Sequence, residues 1–179
     1  MEELLKVKNR SKAFVGYAVK DKNVVRDFSP MEIKKIPKDE LQQLSYQPGG
    51  KTILKEYLQI LTDDKEFLQE LFGEKIEPEY NYSKEDAVNI MLNGSLDAFL
   101  DMLDFAPKAI LDIIKTEAVE CKLNDVSKRK AIKEKIGFDV DSAIKNAEED
   151  KKEEQLKENS ERERRVPIKE EVPKRRIVE

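Results

Sequence analysis

The chain has 179 residues, 40% of them charged, with no histidine, one cysteine and a net charge of −4. That length holds one domain of ordinary size, or two small units with a tail. The absence of histidine excludes Ser-His and Cys-His nucleophile pairs and histidine-ligated zinc or haem, and a lone Cys121 excludes an internal disulfide and any multi-cysteine metal site.

The opening residues, "MEELLKVKNRSK", lack the apolar core of a secretory signal, and no apolar run reaches the roughly 18 residues that span a bilayer. The expectation is a soluble protein of a reducing compartment. Residues 1–37 then read as short strands. "KAFVGYAVK" alternates Phe14, Gly16 and Ala18 on one face with Val15, Tyr17 and Val19 on the other. "DKN" is a turn, "VVRDF" a second strand and "MEIKKIP" a third, bracketed by Pro30 and Pro37 and so suited to a sheet edge.

Residues 38–146 read as helices with short connections. "PKDELQQL" opens on Pro37 with acids in its first turn, and "SYQPGG" ends it. "KTILKEYLQIL" places Ile53, Leu54, Tyr57, Leu58 and Leu61 on one helical stripe. "TDDKEFLQELFG" has Thr62 or Asp63 as N-cap and Gly73 past its end, and "EKIEPEYNY" is a linker. Ser83 and Asp86 have capping-box spacing, Ser95 caps the next helix, and Pro107 starts another. Asn124 or Asp125 caps "DVSKRKAIKEKIG", and Asp141 begins a last helix. From about residue 145 onward, 11 acidic and 11 basic residues share 35 positions with no aromatic, so no core forms there. Pairs at i,i+4 support a solvated helix to Arg165, after which Pro167 and Pro173 end it.

Four stretches are candidates for chemistry or binding. Asp97, Asp101 and Asp104 run parallel to the apolar stripe Leu96, Phe99, Leu100 and Leu103, about 100° around the helix, and read as its solvated face. Gly49-Gly50 lacks the spacing of a phosphate-binding loop and reads as a tight turn. Cys121, flanked by Glu117 and Glu120, reads as a passive, partly buried thiol. The basic stretch with Lys128, Arg129, Lys130 and Lys133 is the nucleic-acid candidate, but its charges are spread around the axis without aromatics between them. In the tail, Val166, Ile168, Val172, Ile177 and Val178 recur in a charged background and are the partner-binding candidates, suited to strand addition or shallow grooves.

The phrases "SYQPGGKTILKEYLQI", "GSLDAFLDMLDFAPKAILDIIK" and "LNDVSKRKAIKEKIGFDV" resemble small acidic proteins of tailed bacteriophages and related mobile elements, over about residues 7 to 146. The resemblance implies a virion structural or accessory protein, located in the particle or the host cytoplasm, and carries no active-site residue.

The resulting expectation is an α+β chain: a small N-terminal antiparallel β-sheet (1–37), a bundle of short α-helices (38–146) and a charged, partly disordered C-terminal extension (147–179). It is expected to be a non-enzymatic interaction protein with no catalytic residue, metal or cofactor. Its partners are expected to be proteins of a larger assembly, such as capsid, neck or tail components, bound in multiple copies through the sheet edge or the tail. No membrane partner is expected. The alternative is a nucleic-acid-associated regulator using the basic helix 125–136.

Overall fold

A computed structural model describes residues 3–165, with side chains to residue 158. The architecture is α+β, with antiparallel strands first and helices after them. The chain forms two compact units, Met1–Asp141 and Ser142–Glu179.

Among the described residues five strands make two sheets. β1 (Leu4–Asn9) is the middle of a three-stranded antiparallel sheet, between β4 (Ile33–Pro37) and β5 (Leu58–Leu61). Its register sets Leu5 opposite Ile36 and Val7 opposite both Lys34 and Ile60. β2 (Val15–Val19) and β3 (Val24–Phe28) form a hairpin with Tyr17 opposite Arg26, closed by a short 3-10 turn and Asn23 in the left-handed region. The three strands read from the sequence are β2, β3 and β4, and β4 is an edge strand as its prolines suggest.

Two strands depart from the sequence reading. β1 is the central strand although no strand is expected at "LLKVKN": Val7 and Asn9 point inward, while Lys6 sits on the wet face. The second departure is β5. The stripe in "KTILKEYLQIL" reads as one helix, but the structure has a single α-helical turn, α2 (Gly50–Thr52), a π-helical turn over Ile53–Tyr57, and then a strand. Leu58 and Ile60 alternate inward, and pairing with β1 satisfies its second edge. A long-range ladder thus overrides the local helical period.

The helices follow their caps. α1 (Lys38–Tyr46) leaves β4 directly at Pro37. α3 (Lys65–Phe72) is capped by Asp64 rather than Thr62 or Asp63, and ends on Gly73 at φ 75°. α4 (Lys84–Asn93) carries the full Ser83–Asp86 capping box. α5 (Leu96–Phe105) starts at Ser95, α6 (Lys108–Glu120) at Pro107, and α7 (Val126–Ile136) at Asp125, ending on Gly137. α8 runs Val140–Arg165.

One apolar cluster joins the strands to the first helices: Val7, Val19, Phe28 and Ile36 pack with Leu41, Leu54, Leu58, Phe67 and Tyr80. Each such fully buried side chain contributes about 1.5–3 kcal/mol. Residues 1–37 therefore share their core with residues 41–80 and are not a separate unit. The later helices bury Met91, Phe99, Met102, Ile110, Ile113 and Ile132.

Candidate interaction surfaces

Among the described residues three charged side chains are buried, and each holds distant parts of the fold together. The guanidinium of Arg10 donates to the carbonyls of Tyr80 at 2.6 Å and Leu58 at 3.0 Å. Its burial pulls its pKa down. Glu40, at the start of α1, accepts from the Tyr17 hydroxyl at 2.8 Å and from Arg26 at 3.1 and 2.9 Å, tying the β2–β3 hairpin to the helix. Burial alone would raise the Glu40 carboxyl, but the bonds from Arg26 and Tyr17 outweigh it and hold it below the usual range. Burial, then Glu40, pushes the Tyr17 phenol up. Lys128 is 3% exposed, and its ammonium donates to the carbonyls of Met91 and Gly94 at 2.8 Å and of Ile90 at 3.3 Å. It is thus a side-chain cap on the end of α4.

That placement corrects the basic-helix reading at its first residue. Lys128 faces inward because the end of α4 otherwise buries unpaired carbonyls. Arg129 binds the Leu123 carbonyl and Asp141. Lys133 binds Asp139 at 2.6 Å, and Lys130 lies 3.7 Å from Glu134. All four cations have partners within the fold.

The aspartate stripe is exposed, as read, and Asp104 accepts from Lys135 at 2.7 Å. The apolar side is rotated from the expected one: Phe99, Met102 and Leu103 are buried, while Leu96 is exposed. Among the described residues no group of three carboxylate or thiol side chains is placed to hold a metal ion. Gly49 adopts φ 80° and makes the turn, while a Cβ on Gly50 would lie 1.7 Å from the Leu44 carbonyl oxygen, so the second glycine serves close packing. Cys121 is exposed rather than partly buried; partial desolvation, and then Glu117, push its thiol up. No described helix is long and apolar enough to cross a membrane. The tail candidates Val166, Ile168, Val172, Ile177 and Val178 lie outside the described residues.

Two surface features of the fold have no local signature in the sequence. A cleft of about 470 Å³ lies between the start of β2 and α6, and Phe14 at its rim is 78% exposed. The alternation in "AFVGYAV" was legible, but not that α6 would stand across from it. The second feature is the outer face of the three-stranded sheet, where Lys6 lies directly opposite Lys35. Among the described residues neither lysine has a carboxylate partner, and Leu4, Ile33 and Leu61 are exposed around them. Like charges directly opposite each other destabilise a sheet. Finding that pair requires the β1–β4 register, which no local pattern reports.

Comparison of the chain with protein-family models, curated proteins and solved structures found no match.

Proposed function

We propose that this chain is a non-enzymatic interaction protein that docks, in multiple copies, onto a larger protein assembly. A tailed-phage particle is the assembly its sequence phrases resemble. One observation carries the reading: β4 and parts of the hairpin leave strand edges open, and apolar side chains beside them face solvent. The hairpin strands have one partner each, β4 is a sheet edge, and Leu4, Phe14, Val25, Ile33 and Leu61 are exposed on or beside the strands, whereas the outer edge of β5 is covered at Leu58 by Arg10 and at Ile60 by Tyr80. Open edges with apolar side chains are the surfaces that other polypeptides pair with and cover. The Lys6–Lys35 pair adds positive charge that an acidic protein surface would neutralise. The buried ionic groups, by contrast, serve the fold's interior. Many copies on a repeating surface would multiply a weak single contact.

The test is sedimentation of the native lysate, with mass spectrometry across the gradient. Co-migration with large particles at fixed stoichiometry supports the reading. Migration as a free small species overturns it.

A further inference from the structure

In a two-stranded hairpin, backbone groups that face away from the partner strand need another partner or water. In β2 those groups belong to alternate residues. The Ala18 carbonyl is one of them. The side-chain amide of Gln47, with its oxygen and nitrogen assigned by the bonds they can make, donates to it at 2.9 Å and accepts from the Lys20 N–H at 3.2 Å. A neighbouring strand would make the same kind of pair. On β3, the outward carbonyl of Asp27 is covered by the Lys34 ammonium. By the same alternation, the N–H and C=O of Gly16 face outward, and neither has a partner among the described residues. The hairpin's edges are thus blocked by side chains at two points and open at Gly16.

Gly16 lines the 470 Å³ cleft, and α6 supplies Ile113 and Thr116 to the other side. A glycine within a strand is a common site of close backbone approach. Both charged side chains that line the cleft are paired, and the carboxylate beside Gly16 left without a cation among the described residues is that of Asp27. Lys12, the only cation lining the cleft, is already held by Glu117 at 2.9 Å. Asp112 lines the α6 side, and its carboxylate accepts from Lys115 of the same helix at 2.8 Å. An Asp27 oxygen stands 2.8 Å from where a Cβ on Gly16 would be.

We infer that this cleft takes an extended, basic segment of a partner protein, added as a third strand to the edge of β2 with alternate aliphatic side chains set between β2 and α6. The inference rests on the interaction reading above and names the partner's chemistry. A helical partner uses its own backbone groups internally and leaves Gly16 unpaired. An extended one pairs with Gly16 and continues the line of bonds that Gln47 begins. A Lys or Arg of that segment meets Asp27 beside Gly16.

The probe is acetyl-Lys-Val-Thr-Val-Lys-Val-Arg-amide, titrated into the full-length isotope-labelled chain. Two controls are an analogue N-methylated at alternate amides and one with Glu at every basic position. The expected result is saturable movement of the Gly16 and Ala18 amide resonances, with each control bound about tenfold more weakly. Gly16→Pro deletes the outward N–H, requires the Asp27 carboxylate to swing away, and should also bind about tenfold more weakly. Thr116→Trp fills the cleft from α6 and serves if Gly16→Pro does not fold. No saturation at millimolar peptide, equal binding of the methylated analogue, or resonance shifts confined to another surface each overturn the inference. The sedimentation test separates the two levels. A cleft variant that still co-migrates at full stoichiometry overturns the cleft as the docking site and leaves the interaction reading standing. A wild-type chain that runs free overturns both.

Discussion

Tyr80 holds Arg10 twice. Its carbonyl accepts from the guanidinium at 2.6 Å, and its ring lies beneath the same guanidinium at 4.5 Å from the centroid. Its hydroxyl in turn accepts from the Ile60 N–H at 3.2 Å. Two residues far apart in sequence thereby clamp the 3-10 turn Pro78–Asn81 onto β5 and the end of β1. The polar linker "EKIEPEYNY" is held in place by a buried charge as well as by its own packing.

Removing that charge should therefore cost more than removing a surface ion pair. Arg10→Leu leaves the carbonyls of Tyr80 and Leu58 without their donor, and the expected loss is about 3 kcal/mol in denaturant unfolding. Arg10→Lys should recover only part of it, because one ammonium cannot reproduce the planar fork. Full stability in Arg10→Leu would show that the clamp is dispensable.

Lys128 gives a matched comparison on one helix. Lys128→Met keeps the stem but strips the cap from three carbonyls at the end of α4, and about 2–3 kcal/mol should be lost. Lys130→Met, on the exposed side, should change stability by less than about 0.5 kcal/mol. Equal effects would contradict the inward placement of Lys128.

The Tyr17–Glu40–Arg26 network predicts a pH dependence whose sign is fixed. The Glu40 carboxyl is held below its ordinary value, so its contribution is fully present above the usual carboxylate range near pH 4 and is lost as pH falls below it. The Tyr17 phenol is pushed up, so its contribution holds below about pH 10 and erodes above. Glu40→Gln should cost about 2–3 kcal/mol at pH 7, and the gap to wild type should narrow on acidification. Urea melts from pH 3 to pH 8 would read this directly, and a gap independent of pH would refute it.

The adjacent glycines should respond differently to alanine. Gly49→Ala meets open space but forces a left-handed residue, costing about 1 kcal/mol. Gly50→Ala drives a Cβ into the Leu44 backbone carbonyl, so α1 and α2 must separate, and a loss above about 3 kcal/mol is expected. Thermal melts of the two single variants would decide it.

The local chemistry of this chain was legible in its sequence because each signal acts within a few residues. Ser83 and Asp86 form the capping box that their spacing announces, Gly73 and Gly137 end helices in the left-handed region, and β2 and β3 alternate as written. Tertiary structure decided what depends on partners distant in sequence. β5 exists because Leu58 and Ile60 complete the ladder of β1, although the same letters carry a helical period. Lys128 is interior because α4 ends beside it, so one member of an apparently basic face became a cap. The cleft at Gly16 exists because α6 stands across from an edge of β2 that Gln47 covers only in part. Caps and turns are short-range bonds that a window of residues contains; strand edges, buried charges and clefts are set by which surfaces meet, and that is determined only when the whole chain folds.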